Sequence, residues 1–309
     1  MSLVIKGNNL LVVDCLNLCF RFKHTLYKVE DVDVVEPTWA TLEDMVEVMR
    51  EELAHVYFKD EFINTINSLA ASYRCSNIIV AADLGSSAWR KALYPEYKGD
   101  RAKKYGDQPL VEQAIGKVFM EHYYKLLEDL KSEGINTMFS VGIEADDIVA
   151  YISLNHTHKY EHMWIVSSDG DLDLLLSNKV SRFNWATKNT WKNADKTGPR
   201  PKEVTLDNWK EHYEYPFEWH LDMKAIKGGE DNIIGVKGVG PKRAVDFLTK
   251  YSSVEGLTAA LPLPGRASYI TELNASGDRL KLNKKLMDMV TYNKEIMPLD
   301  LTRQIDALF

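Results

Sequence analysis

Three short apolar runs along the chain end in acids: 9–14 (NLLVVD), 77–83 (NIIVAAD) and 162–169 (HMWIVSSD). Continuous apolar runs of this length predict strands buried on both faces of a parallel sheet. Between them the apolar positions shift to helical spacing. Phe119, Tyr123, Leu126, Leu127 and Leu130 share one face of 118–130. Residues 145–154 (ADDIVAYISL) open with acids, as a helix N-terminus prefers, and then run apolar. Leu42, Met45, Val46, Met49 and Leu53 form a further amphipathic stripe, with Thr41 and Asp44 as a cap pair at its start. Strands alternating with helices predict an α/β fold with a mainly parallel sheet. The polar stretch 186–203 (ATKNTWKNADKTGPRPKE) reads as a linker or surface loop, and 217–309 is mostly helical by pattern. A domain boundary near residue 190 follows, dividing the chain into 1–190 and 191–309.

Composition adds bounds to this outline. The chain has 309 residues, a net charge of −7, 45% hydrophobic and 27% charged residues. That balance belongs to a globular protein of one large or two ordinary domains, and excludes a disordered or fibrous one. Taken as an average, the charge argues against a histone-like nucleic-acid binder. Cys15, Cys19 and Cys75 form no CxxC pair, and the odd count suits buried free thiols in a reducing compartment. The apolar run near the N-terminus is too short to span a membrane and carries Asp14, so neither an anchor nor a signal peptide is expected. A cytoplasmic protein is the reading.

The acids carry the chemistry. Asp14, Asp83 and Asp169 each end an expected parallel strand. In open α/β sheets the carboxyl ends of the strands line the ligand crevice, so acids distant in the chain converge there. Glu144, Asp146 and Asp147 stand at a helix start in GIEADD, and Asp171 lies two residues beyond Asp169. So many carboxylates close together repel one another, and hard divalent cations with oxygen ligands, Mg²⁺ above all, relieve the repulsion. Such a nest holding two ions is an arrangement suited to phosphodiester hydrolysis. Individually these acids would serve as helix caps facing solvent; their repeated placement at strand ends argues for a set. DGDLD at 169–173 fails as an EF-hand, because positions six and twelve hold Leu174 and Val180. His156, His158 and His162 lack a nearby cysteine and read as a solvated loop after a helix.

Two segments suit nucleic acid. Residues 90–104 (RKALYPEYKGDRAKK) carry Arg90, Lys91, Lys98, Arg101, Lys103 and Lys104 with Tyr94 and Tyr97 interleaved, a pattern for phosphates and an unpaired base. In 235–245 (GVKGVGPKRAV), Gly238 and Gly240 allow a tight turn, Pro241 starts a helix, and Lys242 and Arg243 follow. Amides at that helix N-terminus make a site for a DNA phosphate, in a helix–hairpin–helix pattern that grips backbone without reading bases.

Taken together, VVDCLNLCFRFKH, LYPEYKGDR, GIEADD, SSDGDLDLLL and EDNIIGVKGVGPKRA resemble the 5′-nuclease (flap endonuclease) family, and LPLPGRASYITELNAS looks like its tailed-phage members. The resemblance covers most of the chain in order. It implies a PIN-like (Rossmann-like), mainly parallel sheet flanked by helices, a helical arch over about residues 95–130, and a helical C-terminal helix–hairpin–helix domain. It matches Asp14, Asp83, Glu144, Asp146, Asp147, Asp169, Asp171 and Asp231 to the family's metal-binding acids. Lys98 and Arg101 match its basic pair at the foot of the arch, placed to hold the scissile phosphate. The expected DNA contacts are Tyr97, Lys103, Lys104, Gly238, Gly240, Lys242 and Arg243. The implied cofactors are two Mg²⁺ ions, with Mn²⁺ as a substitute and a K⁺ ion at the hairpin. The implied activity removes 5′ flaps or RNA primers from DNA during replication, in the cytoplasm of a bacterial host if the chain is phage-encoded, by a monomer.

The chain departs from that family in two places. Where the family shows two acids three residues apart before the Asn, this chain reads Lys227-Gly228-Gly229-Glu230-Asp231-Asn232. Gly228 stands in place of the first acid, Glu230 is a candidate substitute, and a weaker second ion is expected. The second departure is an acidic insert, 28–61, with eleven acids against three bases. Its charge predicts that it projects away from DNA, and it is a candidate docking site for a replication protein. Outside the insert the chain has 35 basic and 34 acidic residues, eight of the latter assigned to metals. The average charge therefore hid two acidic clusters on a basic background. Two other readings compete: a non-catalytic junction binder with an impaired metal site, favoured by Gly228, and a PIN-type ribonuclease, opposed by the duplex-gripping hairpin.

Overall fold

The computed structural model describes residues 7–27, 40–185, 202–229 and 231–309. Strands β1 (Asn9–Asp14), β2 (Cys75–Ala81), β3 (Asn136–Met138), β4 (His162–Val166), β5 (Val180–Phe183) and β6 (Glu203–Val204) form one sheet in the order β3-β2-β1-β4-β5-β6. The first five run parallel and β6 pairs antiparallel with β5. In the centre, Val12 of β1 registers with Ile79 of β2 on one side and Ile165 of β4 on the other. Leu10, Leu11, Val12 and Val13 are fully buried, as a strand covered on both faces requires.

The helices α1 (Cys15–Leu26), α2 (Leu42–Glu52), α3 (Lys59–Ser72), α4 (Ala88–Leu93), α5 (Gly99–Gly106), α6 (Leu110–Ser132) and α7 (Ala145–His156) cover this sheet. One face carries a core in which Phe22, Phe58, Phe62, Phe119 and Tyr123 interlock. The expected cap of α2 is present: Thr41 Oγ1 accepts from the Asp44 amide, and the Asp44 carboxylate accepts from the Thr41 amide. Met45, Val46 and Met49 bury the inner stripe of α2 against α6, and Arg50 grips Glu121 through two hydrogen bonds of 3.0 and 2.7 Å. The described part of the acidic insert therefore lies along α6; its residues 28–39 fall outside the described residues.

Helices α5 and α6 are the two limbs of the expected arch. Gln113 Nε2 donates to the Gly106 and Gln108 carbonyls, and the Tyr105 hydroxyl donates to the Gln113 carbonyl, closing the turn between them. A side chain at Gly116 would place its Cβ 3.0 Å from the Tyr105 ring, so the limbs meet closely there.

Beyond β6 come α8 (Trp209–His212), α9 (His220–Lys227), α10 (Pro241–Tyr251), α11 (Val254–Ala259), α12 (Ser268–Asn274), α13 (Gly277–Met287), α14 (Asn293–Ile296) and α15 (Leu299–Asp306). Met223, Ile226, Leu248, Leu257, Leu273 and Leu280 give α9 to α13 their own core. Met289, Ile296, Met297, Leu301 and Ile305 instead join the second core of the sheet, with Ile148, Val149 and Ile152 of α7. The expected boundary near residue 190 falls among residues 186–201, outside the described ones. The chain after it does not form one self-contained unit, since β6 extends the sheet and the last two helices return to α7. No described helix is long and apolar enough to cross a membrane.

Candidate metal centre and active site

Because β1, β2 and β4 are parallel, their carboxyl ends open on one side. Asp14 ends β1, Asp83 follows β2 by two residues, and Asp169 follows β4 by three. With Asp146 at the start of α7 they line a cleft of about 360 Å³, which Glu144, Lys98 and Arg101 also border. Asp14 accepts from the Asn17 amide at 3.2 Å and from Ser167 Oγ at 2.9 Å. Burial, with Asp83 and Asp169 adding repulsion, pushes its carboxyl up to about 8. Burial also raises Asp83, against the pull of the Ala145 amide at 3.0 Å. It raises Asp146 well above the usual range, with Asp169, Asp14 and Asp83 adding to the effect.

The loop carrying Asp169 and Asp171 is fastened from beneath. Ser167 Oγ accepts from the Asp169 amide at 3.0 Å, and the Asp169 carboxylate accepts from the Asp171 amide at 2.8 Å. These bonds end the strand at Val166, three residues before the acid that the pattern places at its end. Under the loop, Arg182 of β5 is paired with fully buried Asp173 at 2.5 and 2.8 Å and donates to the Ser167 carbonyl at 2.9 Å. Tyr213 donates to Asp173, and His220 bonds to the Gly170 carbonyl.

Four of the residues expected at the site are already paired within the chain. Asp147 is fully buried and held by both terminal nitrogens of Arg90 at 2.7 Å, so it faces away from the cleft. Arg90 is consequently not a free phosphate ligand; it is 4% exposed and also bonds the Leu286 carbonyl. Every oxygen of Glu144 already has protein donors. Oε1 takes the Ser87 amide at 3.1 Å and Lys98 Nζ at 2.6 Å; Oε2 takes Arg90 at 3.2 Å and the Tyr97 hydroxyl at 3.0 Å. Burial would raise this acid, but Lys98 and Arg90 outweigh it and hold it below the usual range. Glu144 thus borders the cleft while orienting Lys98 from beneath. Tyr97 is 4% exposed and points at Glu144, so it has no ring face for a base.

Lys98 and Arg101 lie at the start of α5, on the edge of the cleft. Lys98 adopts a left-handed backbone (φ 58°), and its amide donates to the Asp231 carbonyl at 3.1 Å. Burial works against its charge, but Glu144 and Asp231 keep the ammonium pKa above its ordinary value. Arg101 Nε and Nη2 bind Asp231 Oδ1 at 3.0 and 2.6 Å. Asn232, also left-handed at φ 62°, bonds the Glu96 carbonyl through Nδ2 at 3.0 Å. The Asp-Asn pair thus ties the foot of α5 to the turn after α9.

Asp171 and Asp231 border a second cleft of about 400 Å³, which shares Asp169 and Arg101 with the first. Lys224 of α9, which the sequence reading did not single out, reaches Asp171 Oδ1. Its only signal in the sequence is a basic residue one helical turn ahead of Gly228. Glu230, the expected substitute acid, lies outside the described residues.

At the hairpin, Gly238 has φ 83° and Gly240 caps α10, with Pro241 in its first turn. Lys242 and Arg243 are exposed, and Arg243 also donates to the Gly238 carbonyl at 2.6 Å and lies 4.4 Å over the Tyr269 ring. Lys103 and Lys104 are exposed on α5. All three cysteines are buried and free. Of the three histidines His158 is exposed in the turn after α7, as a solvated loop requires, whereas His156 is buried at the end of α7 against Asp306 and His162 opens β4.

Asp14, Asp83, Asp146 and Asp169 fit a hard divalent cation by donor type and by charge, since a cation offsets the burial and the added repulsion that raise Asp14, Asp83 and Asp146. Among the described residues no three His, Cys, Asp or Glu side chains close on one point as direct ligands. Retained waters complete the shell of such an ion.

This parallel sheet with acids at its strand ends, an arch and a hairpin defines a nuclease architecture. Residues 9–205 match the model of the 5′-3′ exonuclease N-terminal resolvase-like domain, and the chain belongs to the 5′-3′ exonuclease family. The chain is 36% identical over 286 residues to the flap endonuclease of Escherichia phage T5, covering 92% of this chain and 84% of that protein. It is 24% identical to flap endonuclease Xni of Aeromonas hydrophila, covering 90% and 89%. The structure of T5 5′-exonuclease with bound zinc superposes with a TM-score of 0.79 at 34% identity, over 97% of this chain and 98% of that one. A T5 flap endonuclease pseudo-enzyme–product complex with DNA and metal ions gives 0.78 at 33% identity, over 97% of each chain.

Proposed function

We propose that the chain is a divalent-metal-dependent, structure-specific 5′-nuclease that hydrolyses phosphodiesters near junctions of single- and double-stranded DNA, removing 5′ flaps or RNA primers during replication. The observation that carries the reading is the convergence of Asp14, Asp83, Asp146 and Asp169 on one cleft with Lys98 and Arg101 at its edge. The T5 relative is named a flap endonuclease, and a T5 neighbour holds DNA and metal ions.

In this reading Asp14, Asp83, Asp146 and Asp169 hold one divalent ion and Asp171 and Asp231 help to hold a second, Mg²⁺ with Mn²⁺ as a substitute, which would supply Lewis acidity and a bound water of lowered pKa. The Lys98 ammonium, oriented by Glu144, holds a non-bridging oxygen of the scissile phosphate and stabilises its growing charge. Arg101 meets the same phosphate from the foot of the arch. The 5′ single strand passes beneath α5 and α6, where Lys103 and Lys104 contact its backbone. The duplex lies on the hairpin, its phosphate at the amides before α10 beside Lys242 and Arg243. A K⁺ ion at the hairpin belongs to the same reading. The acidic insert stays off the DNA and is the surface for a replication protein, and the enzyme works as a monomer in the cytoplasm.

The test is incubation with end-labelled flap, nicked and RNA-primed duplexes, with Mg²⁺ and with EDTA. Cleavage near the junction with Mg²⁺ alone supports the reading. Tight junction binding without cleavage supports the non-catalytic alternative, and cleavage of RNA alone the ribonuclease.

A further inference from the structure

The two groups of acids differ in what faces them. Among the described residues the hydrogen bonds to Asp14 and Asp83 come from neutral donors, an amide and a hydroxyl for the first and an amide for the second, with Lys98 acting on Asp83 only through its charge. Asp171 and Asp231 each have a cation of the chain in place: Lys224 Nζ on Asp171 Oδ1, and Arg101 on Asp231 Oδ1. The second group also lacks an acid that it cannot regain by simple substitution. Gly228 has φ 74°, and a Cβ there would stand 2.3 Å from both the Ile233 carbonyl oxygen and the Gly235 amide nitrogen. The same turn ends α9, and α9 carries Lys224 one helical turn earlier.

We infer that Lys224 sets the metal affinity of the second acidic group: its ammonium occupies Asp171, a divalent cation must displace it, and the chain binds one ion tightly and a second weakly. The inference rests on the reading of the cleft as a metal centre and adds a residue outside the family's acid motifs. Lys224 reaches Asp171 from a packed helix, its side chain only 21% exposed, so little of its charge is screened by water. A carboxylate neutralised by a tethered ammonium gives a divalent ion less electrostatic gain than a bare one.

The test is binding of Mn²⁺ alone to the DNA-free protein, by calorimetry and by electron paramagnetic resonance at fixed pH. Wild type should show one tight and one weaker class of site. Lys224→Met, which keeps the stem and removes the charge, should tighten the weaker class by about tenfold or more and the tight class by less, since Asp169 and Asp146 also attract this ammonium. Lys224→Arg, which keeps a cation, should show no such gain, and Asp171→Asn in the Lys224→Met background should abolish it. Lys224→Gln serves as a second uncharged variant should Lys224→Met unfold. Asp169→Asn is the control: if it fails to weaken metal binding, the metal-centre reading falls, independently of Lys224. If Asp169→Asn weakens binding while folded Lys224→Met and Lys224→Gln leave the weaker class unchanged or weaken it, the inference about Lys224 is overturned. Loss of duplex affinity with an unchanged metal isotherm also overturns it, since Lys224 then serves DNA only.

Discussion

The Lys98 ammonium lies 2.6 Å from Oε1 of Glu144, an acid that also holds Arg90 and Tyr97. A charged group fixed in this way is preorganised for a phosphate whose charge grows during reaction. Lys98→Ala should lower the single-turnover cleavage rate by about 10²–10³-fold, the scale of losing one preorganised donor, while duplex affinity largely survives. Glu144→Gln should lower the rate with smaller effect on binding, because it releases Lys98. Cleavage by Lys98→Ala at the wild-type rate contradicts the assignment.

Arg90 offers a contrast within the same basic segment. Its side chain is 4% exposed and Asp147 is 0% exposed. Arg90→Ala leaves a buried carboxylate without its partner and should destabilise the fold by about 3–5 kcal/mol in urea unfolding. A loss below about 1 kcal/mol, the scale of an exposed pair, would mean that Arg90 sits at the surface.

Asp14 links metal to pH. Its carboxyl is pushed up to about 8 from 3.8, so between those values the folded chain binds a proton that the unfolded chain has lost. Stability from this group therefore falls as pH rises through that window when no divalent ion is present. A cation stabilises the charged form, so added Mg²⁺ should raise Tm more at pH 8 than at pH 5. Equal gains at both, by calorimetry, would show that Asp14 does not face the ion.

Lys242 is exposed at the start of α10. Lys242→Ala should weaken binding to duplexes of any sequence alike and reduce the salt slope of log K by about 0.9, the loss of one phosphate contact. An unchanged slope removes Lys242 from the interface.

Much of this was legible in the chain. Acids after Val13, Ala82 and Ser168 marked the crevice, because a strand buried on both faces has no use for a charge except at its end. The Thr41–Asp44 cap and the Gly238–Arg243 turn were equally plain, since both depend on local geometry. Strands β3, β5 and β6 were not, because two to four residues leave no period to read. The burial of Arg90 and Tyr97 was hidden for another reason. A basic, aromatic segment looks the same whether its charges meet phosphate or a buried acid, and only Asp147 and Glu144 decide which. Met289 to Ile305 read as part of a helical domain, yet they pack on α7, a choice set by long-range shape.

The central claim is that the carboxylates at the strand ends carry phosphodiester hydrolysis. Cleavage of an end-labelled 5′-flap duplex by wild type and Asp169→Asn, with Mg²⁺ and with EDTA, tests it most directly. The account predicts cutting near the junction by wild type with Mg²⁺ only, and a loss of about 10²-fold or more in Asp169→Asn with flap binding retained. Cutting that persists in EDTA, or in Asp169→Asn at the wild-type rate, would contradict it.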